Sequence, residues 1–212
     1  MIRYLYADQL CQFPLLRDSM FRDRADQFRT RLGWEVQVDA DGYESDEYDK
    51  LNPLYVIWEQ PDGRHGGSMR LLPTVGRTMV NDYFGHLTDG VRIESPVIWE
   101  CTRFCLARET APGAAAALML AGGEVMRGFG VEHYVGVFDA RMVRIYRMIG
   151  ASPEVLGTQG TGRDAISVGL WHFSDDAQAR VAASAGIAPS QSRHWFELAF
   201  GAKSEQAATQ AA

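Results

Sequence analysis

The chain has 212 residues, 46% hydrophobic and 23% charged, with a formal net charge of −6. That length suits one domain, or two small ones, with a sizeable core. The acidic balance argues against a nucleic acid partner, and no apolar run is long enough to span a bilayer. The three scattered cysteines, Cys11, Cys101 and Cys105, exclude a secreted disulfide framework and lack the nearby histidines of a zinc site, so no metal is expected. Residues 1–7 carry neither an apolar h-region nor a cleavage site, which leads to the expectation of a cytoplasmic protein. Basic residues are nearly all arginine, the exceptions being Lys50 and Lys203. Arginine suits forked recognition of carboxylate or phosphate.

In chain order, Ile2 to Tyr6 alternates as a strand. Pro14 can open a helix, and Leu16, Met20, Phe21, Phe28 and Leu32 continue it at helical spacing to Gly33. Residues 35–53 are polar and acidic and are read as a loop that is mobile without ligand. Leu54 to Trp58 and Ser68 to Leu72 form a hairpin around a turn at 61–67. A short amphipathic segment covers Val80 to Leu87. Val97 to Leu106 is apolar enough for a central strand. An alanine-rich helix follows through Met126, then a strand His133 to Phe138, a helix Ala140 to Met148, and strands Glu154 to Leu156 and Ile166 to Trp171. The order predicts an α/β fold, three-layer α-β-α, with a mixed, mostly antiparallel sheet and at least one parallel pair. Residues 1–201 are read as one domain and 202–212 as a flexible tail.

The stretch from Arg24 to Asp49 joins an arginine, an aromatic at Phe28, an indole at Trp34 and the carboxylates of Glu44-x-Asp46-x-x-Asp49. These groups suit a small ligand that combines a carboxylate, a flat ring and positive charge. Further on, Thr110-x-x-Gly113-x-Ala115 stands where free N–H groups at a helix N-terminus can bind phosphate. It partly resembles the pyrophosphate loop of the Gcn5-related N-acetyltransferases, with threonine in place of the usual first residue.

Together with Arg70, Phe84 and Trp99-Glu100-x-x-Arg103-Phe104, these residues resemble the acyl-homoserine-lactone synthases, the autoinducer synthases of bacterial quorum sensing. The resemblance covers about residues 1–200 and implies a fold similar to that of the Gcn5-related N-acetyltransferases. It departs from the family at Cys101-Thr102, and at Val137-Phe138-Asp139, which puts a preference for 3-oxo chains in doubt. It implies acyl transfer from acyl carrier protein, or acyl-coenzyme A, to the amine of S-adenosylmethionine. Lactone closure then releases methylthioadenosine. S-adenosylmethionine is a substrate, and no tightly bound cofactor is implied. Arg24, Phe28, Trp34, Asp46, Asp49, Arg70 and Phe84 would bind it. Glu100, Arg103 and Asp46 would be catalytic, with Glu100 as the base and Arg103 or strand N–H groups on the thioester oxygen.

Thr110 and Gly113 are expected near pantetheine, and Met119, Met126, Val137, Phe138, Met142 and Tyr146 around an acyl tail of medium or long chain. Arg141, Arg144 and Arg147 recur every three residues on one helix and are expected to dock an acidic carrier protein. In a regular strand Glu100 and Arg103 face opposite sides, so a shared site requires a bulge or splay within 99–104.

Other readings stand beside this one. Arg70 and Arg103 also suit a structural ion network with Asp46, Asp49 or Glu100, and Phe28, Trp34 and Phe84 also suit plain core. A plain acetyl-coenzyme-A-dependent N-acetyltransferase, or a non-enzymatic acyl sensor, are the functional alternatives. The five histidines show no ligand spacing.

Overall fold

The computed structural model describes the backbone of residues 1–210 and the side chains of residues 1–201. Seven strands form one sheet: β1 (Ile2–Tyr6), β2 (Leu54–Glu59), β3 (His65–Pro73), β4 (Ile98–Leu106), β5 (His133–Asp139), β6 (Glu154–Gln159) and β7 (Ile166–His172). Their spatial order is β1-β2-β3-β4-β5-β7-β6. Every neighbouring pair is antiparallel except β4–β5. The apolar β4 stands in the middle, as its composition predicts. The hairpin turn is shorter than expected, because β3 begins at His65 and Gln60 N–H closes the turn on Arg64 O at 2.8 Å.

Strand alternation sorts side chains onto two faces. Tyr4, Leu54, Val56, Met69 and Leu71 bury one face against α3 (Ala114–Phe129) and α6 (Pro189–Gln210). Leu5, Tyr55 and Ile57 bury the other against α1 (Pro14–Ala25), through Leu16 and Met20. Full burial of such a side chain stabilises by about 1.5–3 kcal/mol. A short α2 (Met79–Tyr83) lies on the α1 side and sets Val80 against Val135 and Val168. On the α3 side, α4 (Ala140–Ile149) and α5 (Asp175–Ala185) complete the layer through Ile149, Val181 and Ala182 against Ala116 and Leu120. The result is the expected three-layer arrangement around a mixed sheet.

Two expectations need correction. The first helix does not run as one α-helix to Gly33. After Ala25 its turns widen over Asp26–Arg31, where Leu32 N–H reaches back five residues to Gln27 O at 3.0 Å. The sequence reading also passed over α5 and α6. Both carry ordinary end signals: Ser174 caps α5 by accepting the Ala177 N–H at 3.2 Å, Gly186 closes it at φ +64°, and Pro189 opens α6. The tail expected at 202–212 lies outside the described side chains, and its last two residues lie outside the described backbone.

The parallel pair is short. Its register holds at Ile98–His133, Trp99–Tyr134 and Glu100–Val135. Beyond that, β4 pairs only with β3 and β5 only with β7. The sheet therefore splays open between its two central strands, beside residues 101–106.

Candidate active site

On the α1 face three arginines interlock with three carboxylates. Arg24 Nε donates to Glu44 Oε2 at 2.6 Å, and its two terminal nitrogens donate to the two oxygens of Asp49 at 3.0 and 2.9 Å. Arg70 forks onto Asp46 at 2.5 and 3.0 Å, touches Asp49 Oδ1 at 2.8 Å, and donates from Nε to Thr102 Oγ1 at 3.0 Å. Arg103 bridges Glu44 Oε1 at 2.9 Å and Asp46 Oδ2 at 2.7 Å. The Tyr55 hydroxyl adds a 2.5 Å bond to Asp49 Oδ1. Arg24, Arg70 and Glu44 are fully buried. Burial of such charges is tolerated because each is paired and hydrogen-bonded. Asp49 shows the balance: burial opposes its ionised form, but Arg24 and Arg70 overcome that and hold its carboxyl well below the usual range.

Arg103 joins this network through its backbone. Between Ser68 and Arg70 on β3 there is one residue, whereas between the paired Cys105 and Thr102 on β4 there are two. The extra residue is a β-bulge, and Arg103 takes the left-handed φ of +51°. The bulge resets the alternation and turns Arg103 to the face of Glu100, Thr102 and Arg70. This is the irregularity that a shared site for Glu100 and Arg103 required.

Glu100 lies one turn of the pleat away and is buried. Its oxygens accept the N–H groups of Val80 at 2.6 Å and Met79 at 3.0 Å, at the start of α2. Burial pushes its pKa up to about 7, against those two N–H bonds and the Arg70 charge. A carboxyl poised there can exchange a proton near neutral pH. Glu100 also takes over the N–H groups that a capping Thr78 would serve, and the Thr78 hydroxyl is left buried without a partner.

A cavity of about 590 Å³ runs beside these groups and through the splay between β4 and β5. On the α1 side it is bounded by Phe28, Trp34, Met79, Phe84, Thr102 and Arg103. Phe28 and Trp34 stack at 5.3 Å and 8°, and the Arg103 guanidinium lies 5.4 Å from the Phe28 ring. On the α3 side its wall includes Met119, Met126, Phe138, Met142 and Tyr146, five of the six residues expected to form one apolar lining; the sixth, Val137, also borders the cavity but faces the α1 side, where it packs with Val80 and Phe84.

Other expected site residues fall elsewhere. Arg24 does not face the cavity. It is sealed under the acidic segment with its fork taken by Glu44 and Asp49, so it anchors residues 44–49. That segment is correspondingly no free loop: Tyr48 is buried and its hydroxyl donates to Asp82 at 2.9 Å. Arg70, Asp46, Asp49 and the buried Glu100 form the floor behind the cavity wall rather than the wall itself. Thr110 and Gly113 lie off the cavity. The Thr110 hydroxyl is buried against Gly66 without a partner, and Gly113 starts α3 at φ +91°. Arg141, Arg144 and Arg147 are exposed along α4, with Arg141 at the cavity edge.

Sequence reasoning did not assign Glu44, Thr102 and Tyr55 to the site, although Glu44 stands in the quoted motif. It also missed a buried relay in which His65 Nδ1 meets Asp23 Oδ2 at 2.7 Å and His65 Nε2 meets Ser68 Oγ at 2.9 Å. The cavity does not reach this trio, which fastens α1 to β3.

A mixed sheet whose central parallel pair splays open defines an α/β fold that other proteins share. A putative N-acetyltransferase from Lactobacillus plantarum superposes with a TM-score of 0.54 and 15% identity, over 81% of this chain and 99% of that one. The family model for autoinducer synthases matches residues 11–181. An acyl-homoserine-lactone synthase of Rhizobium etli is 42% identical over 183 residues, which covers 83% of this chain and 86% of that protein. The chain belongs to the autoinducer synthase family. The structure of a CoA-dependent acyl-homoserine lactone synthase, BjaI, with SAM and isopentyl-CoA has a TM-score of 0.77 at 22% identity, over 88% of this chain and 90% of that one. The resemblance read from the sequence therefore holds, and the plain acetyltransferase is not favoured.

Proposed function

We propose that the protein transfers an acyl group from acyl carrier protein or acyl-coenzyme A to the amine of S-adenosylmethionine. Closure of the lactone then releases methylthioadenosine and yields a quorum-sensing signal. The observation that carries this reading is a cavity that crosses the sheet past Met79 and Thr102, behind which lies Glu100, a carboxyl poised near pH 7. S-adenosylmethionine occupies the α1 side, where Phe28, Trp34 and Phe84 cover its ring and sulfonium. Asp46 and Asp49 set the electrostatics behind them. Arg103, the one arginine of the network that borders the cavity, replaces Arg24 as partner for the methionyl carboxylate.

Glu100 takes the ammonium proton, directly or through water. The amine then attacks the thioester carbonyl, and the thiol leaves. A bulge keeps its extra residue out of the ladder, so Arg103 and the N–H groups beside it receive the developing oxyanion. Lactone closure needs the carboxylate oxygen held in line with the carbon that bears the sulfonium. The acyl tail passes through the splay to the α3 side. Carrier protein docks on Arg141, Arg144 and Arg147.

Among the described residues no helix is long and apolar enough to cross a membrane, and a cytoplasmic site of action fits substrates made there. The test is incubation with S-adenosylmethionine and a series of acyl thioesters, read by mass spectrometry. Acyl-homoserine lactone and methylthioadenosine are the expected products; an acylated amine without a lactone overturns the reading.

A further inference from the structure

The α3 helix presents Met119, Gly122, Gly123 and Met126 to the cavity, the i, i+3, i+4, i+7 spacing of one helix face. Two adjacent glycines in a helix interior cost about 0.8–1.0 kcal/mol each relative to alanine, so their packing must offset that. The surroundings give each a separate reason. A Cβ on Gly122 would lie 2.9 Å from the Met69 terminal methyl and 3.4 Å from the Tyr134 ring. Both of those groups line the cavity, so a side chain there drives itself or Met69 into the open space. A Cβ on Gly123 would lie 1.9 Å from Gln178 Oε1 of α5. The Gln178 amide is laid flat over that glycine by its bonds to Leu120 O at 3.0 Å and Glu124 Oε1 at 3.3 Å. Beyond the pair the cavity wall continues to Val181 of α5. By letting the Met69 methyl and the Gln178 amide lie against α3, the two glycines keep both out of a notch, flanked by flexible methionines, that carries the apolar space from the sheet to α5.

We propose that Gly122 and Gly123 determine acyl-chain length, holding the bay open so that the enzyme selects long-chain thioesters of the tetradecanoyl class over hexanoyl ones. The inference rests on the proposed acyl transfer and names its substrate class. A chain that reaches α5 fills the notch, whereas a short one ends near the splay and leaves the bay unfilled. One methylene more or less in an apolar pocket changes discrimination by about 10–200-fold.

The experiment compares wild type, Gly122→Ala, Gly122→Val and Met119→Ala. Each receives hexanoyl and tetradecanoyl thioesters of both coenzyme A and acyl carrier protein. The readouts are kcat/KM for lactone formation and, without turnover, binding by calorimetry. Wild type should favour the tetradecanoyl donor. Gly122→Val should lower the ratio of long to short by at least about tenfold, Gly122→Ala should lower it less, and Met119→Ala should raise it. Loss of fold would depress both donors together, and Gly122→Ala, which improves helix propensity, keeps the comparison available if the valine variant does not fold. A wild type that prefers hexanoyl donors, or a ratio unmoved in folded Gly122 variants, overturns the proposal. Length-selective binding with no lactone from any donor would uphold the notch and overturn the reaction.

Discussion

The two faces of the sheet solve opposite problems. On the α1 face, Arg24, Arg70 and Arg103 hold Glu44, Asp46 and Asp49 in a closed set of ion pairs with little freedom left. On the α3 face, Met119, Met126 and Met142 line open apolar space. Charge-assisted forks fix direction, whereas thioethers adapt to what enters. A small, highly charged substrate calls for the first kind of wall and a variable hydrocarbon for the second. The splay beside Glu100 is where the two meet.

The comparison breaks most severely at Arg70. Arg70→Ala removes the fork on Asp46 and one of the contacts to Asp49, leaving Asp46 to Arg103 and Asp49 to Arg24 and Tyr55, and removal of one partner from a buried pair costs about 3–5 kcal/mol. Chemical denaturation should show a loss of that size. If the loss is under about 1 kcal/mol, as for a surface pair, the network is not the rigid wall described.

Glu100 tests the meeting point. Glu100→Gln should lower turnover by about 10²–10⁴-fold, while calorimetry shows S-adenosylmethionine binding nearly intact. In wild type, kcat/KM should rise with pH through about 7 as the base ionises, and the glutamine variant should lose that inflection. Stability runs the other way. The folded pKa lies above the ordinary 4.5, so this carboxyl's contribution is full below that value and fades as pH rises through about 7.

Much of this division is legible in the chain. The residue types of the charged wall stand in order from Arg24 to Arg103, and Met119, Met126, Met142 and Tyr146 on the two helices that follow β4 and β5 read as one apolar lining. What residue order does not show is which charges are already spent on one another. Arg24 looks free until Glu44 and Asp49 fold over it, and these partners lie 20 and 25 residues away. The trio of Asp23, His65 and Ser68 joins a helix to a strand over 42 residues, which no local pattern encodes. The α5 and α6 helices, by contrast, were legible in Ser174, Gly186 and Pro189, but the alanine and serine between these signals gave a weak apolar stripe.

Docking on the exposed arginines extends the comparison to the surface. Charge reversal at Arg144 and Arg147 should raise KM for carrier-bound donor about tenfold at low salt and leave coenzyme-A donors unchanged, since surface charges act within a Debye length of about 10 Å at 0.1 M salt. An unmoved KM at low salt would remove α4 as the docking face.

Hydrogen exchange sharpens the description of the charged wall. Residues 44–51, tied down by Arg24, Arg70 and Tyr48, should be protected without ligand. Residues 35–43, largely exposed, should exchange fast and slow when an S-adenosylmethionine analogue binds. Equal exchange in 35–43 with and without ligand would mean that this segment is no lid. The smallest effect belongs to the adaptable side: Met142→Leu should cost less than about 1.5 kcal/mol in a thermal melt.

Arg103 occupies a backbone conformation that left-handed geometry ordinarily reserves for glycine, at a cost of roughly 1–2 kcal/mol for a residue with a Cβ. Replacement by glycine would relax the chain but delete the guanidinium that joins Glu44 to Asp46. A β-branched residue would lose the charge and deepen the strain. Lysine would keep a charge without the fork. The position is closed to gradual change from either direction, so sequence drift in a descendant of this chain has to go around it.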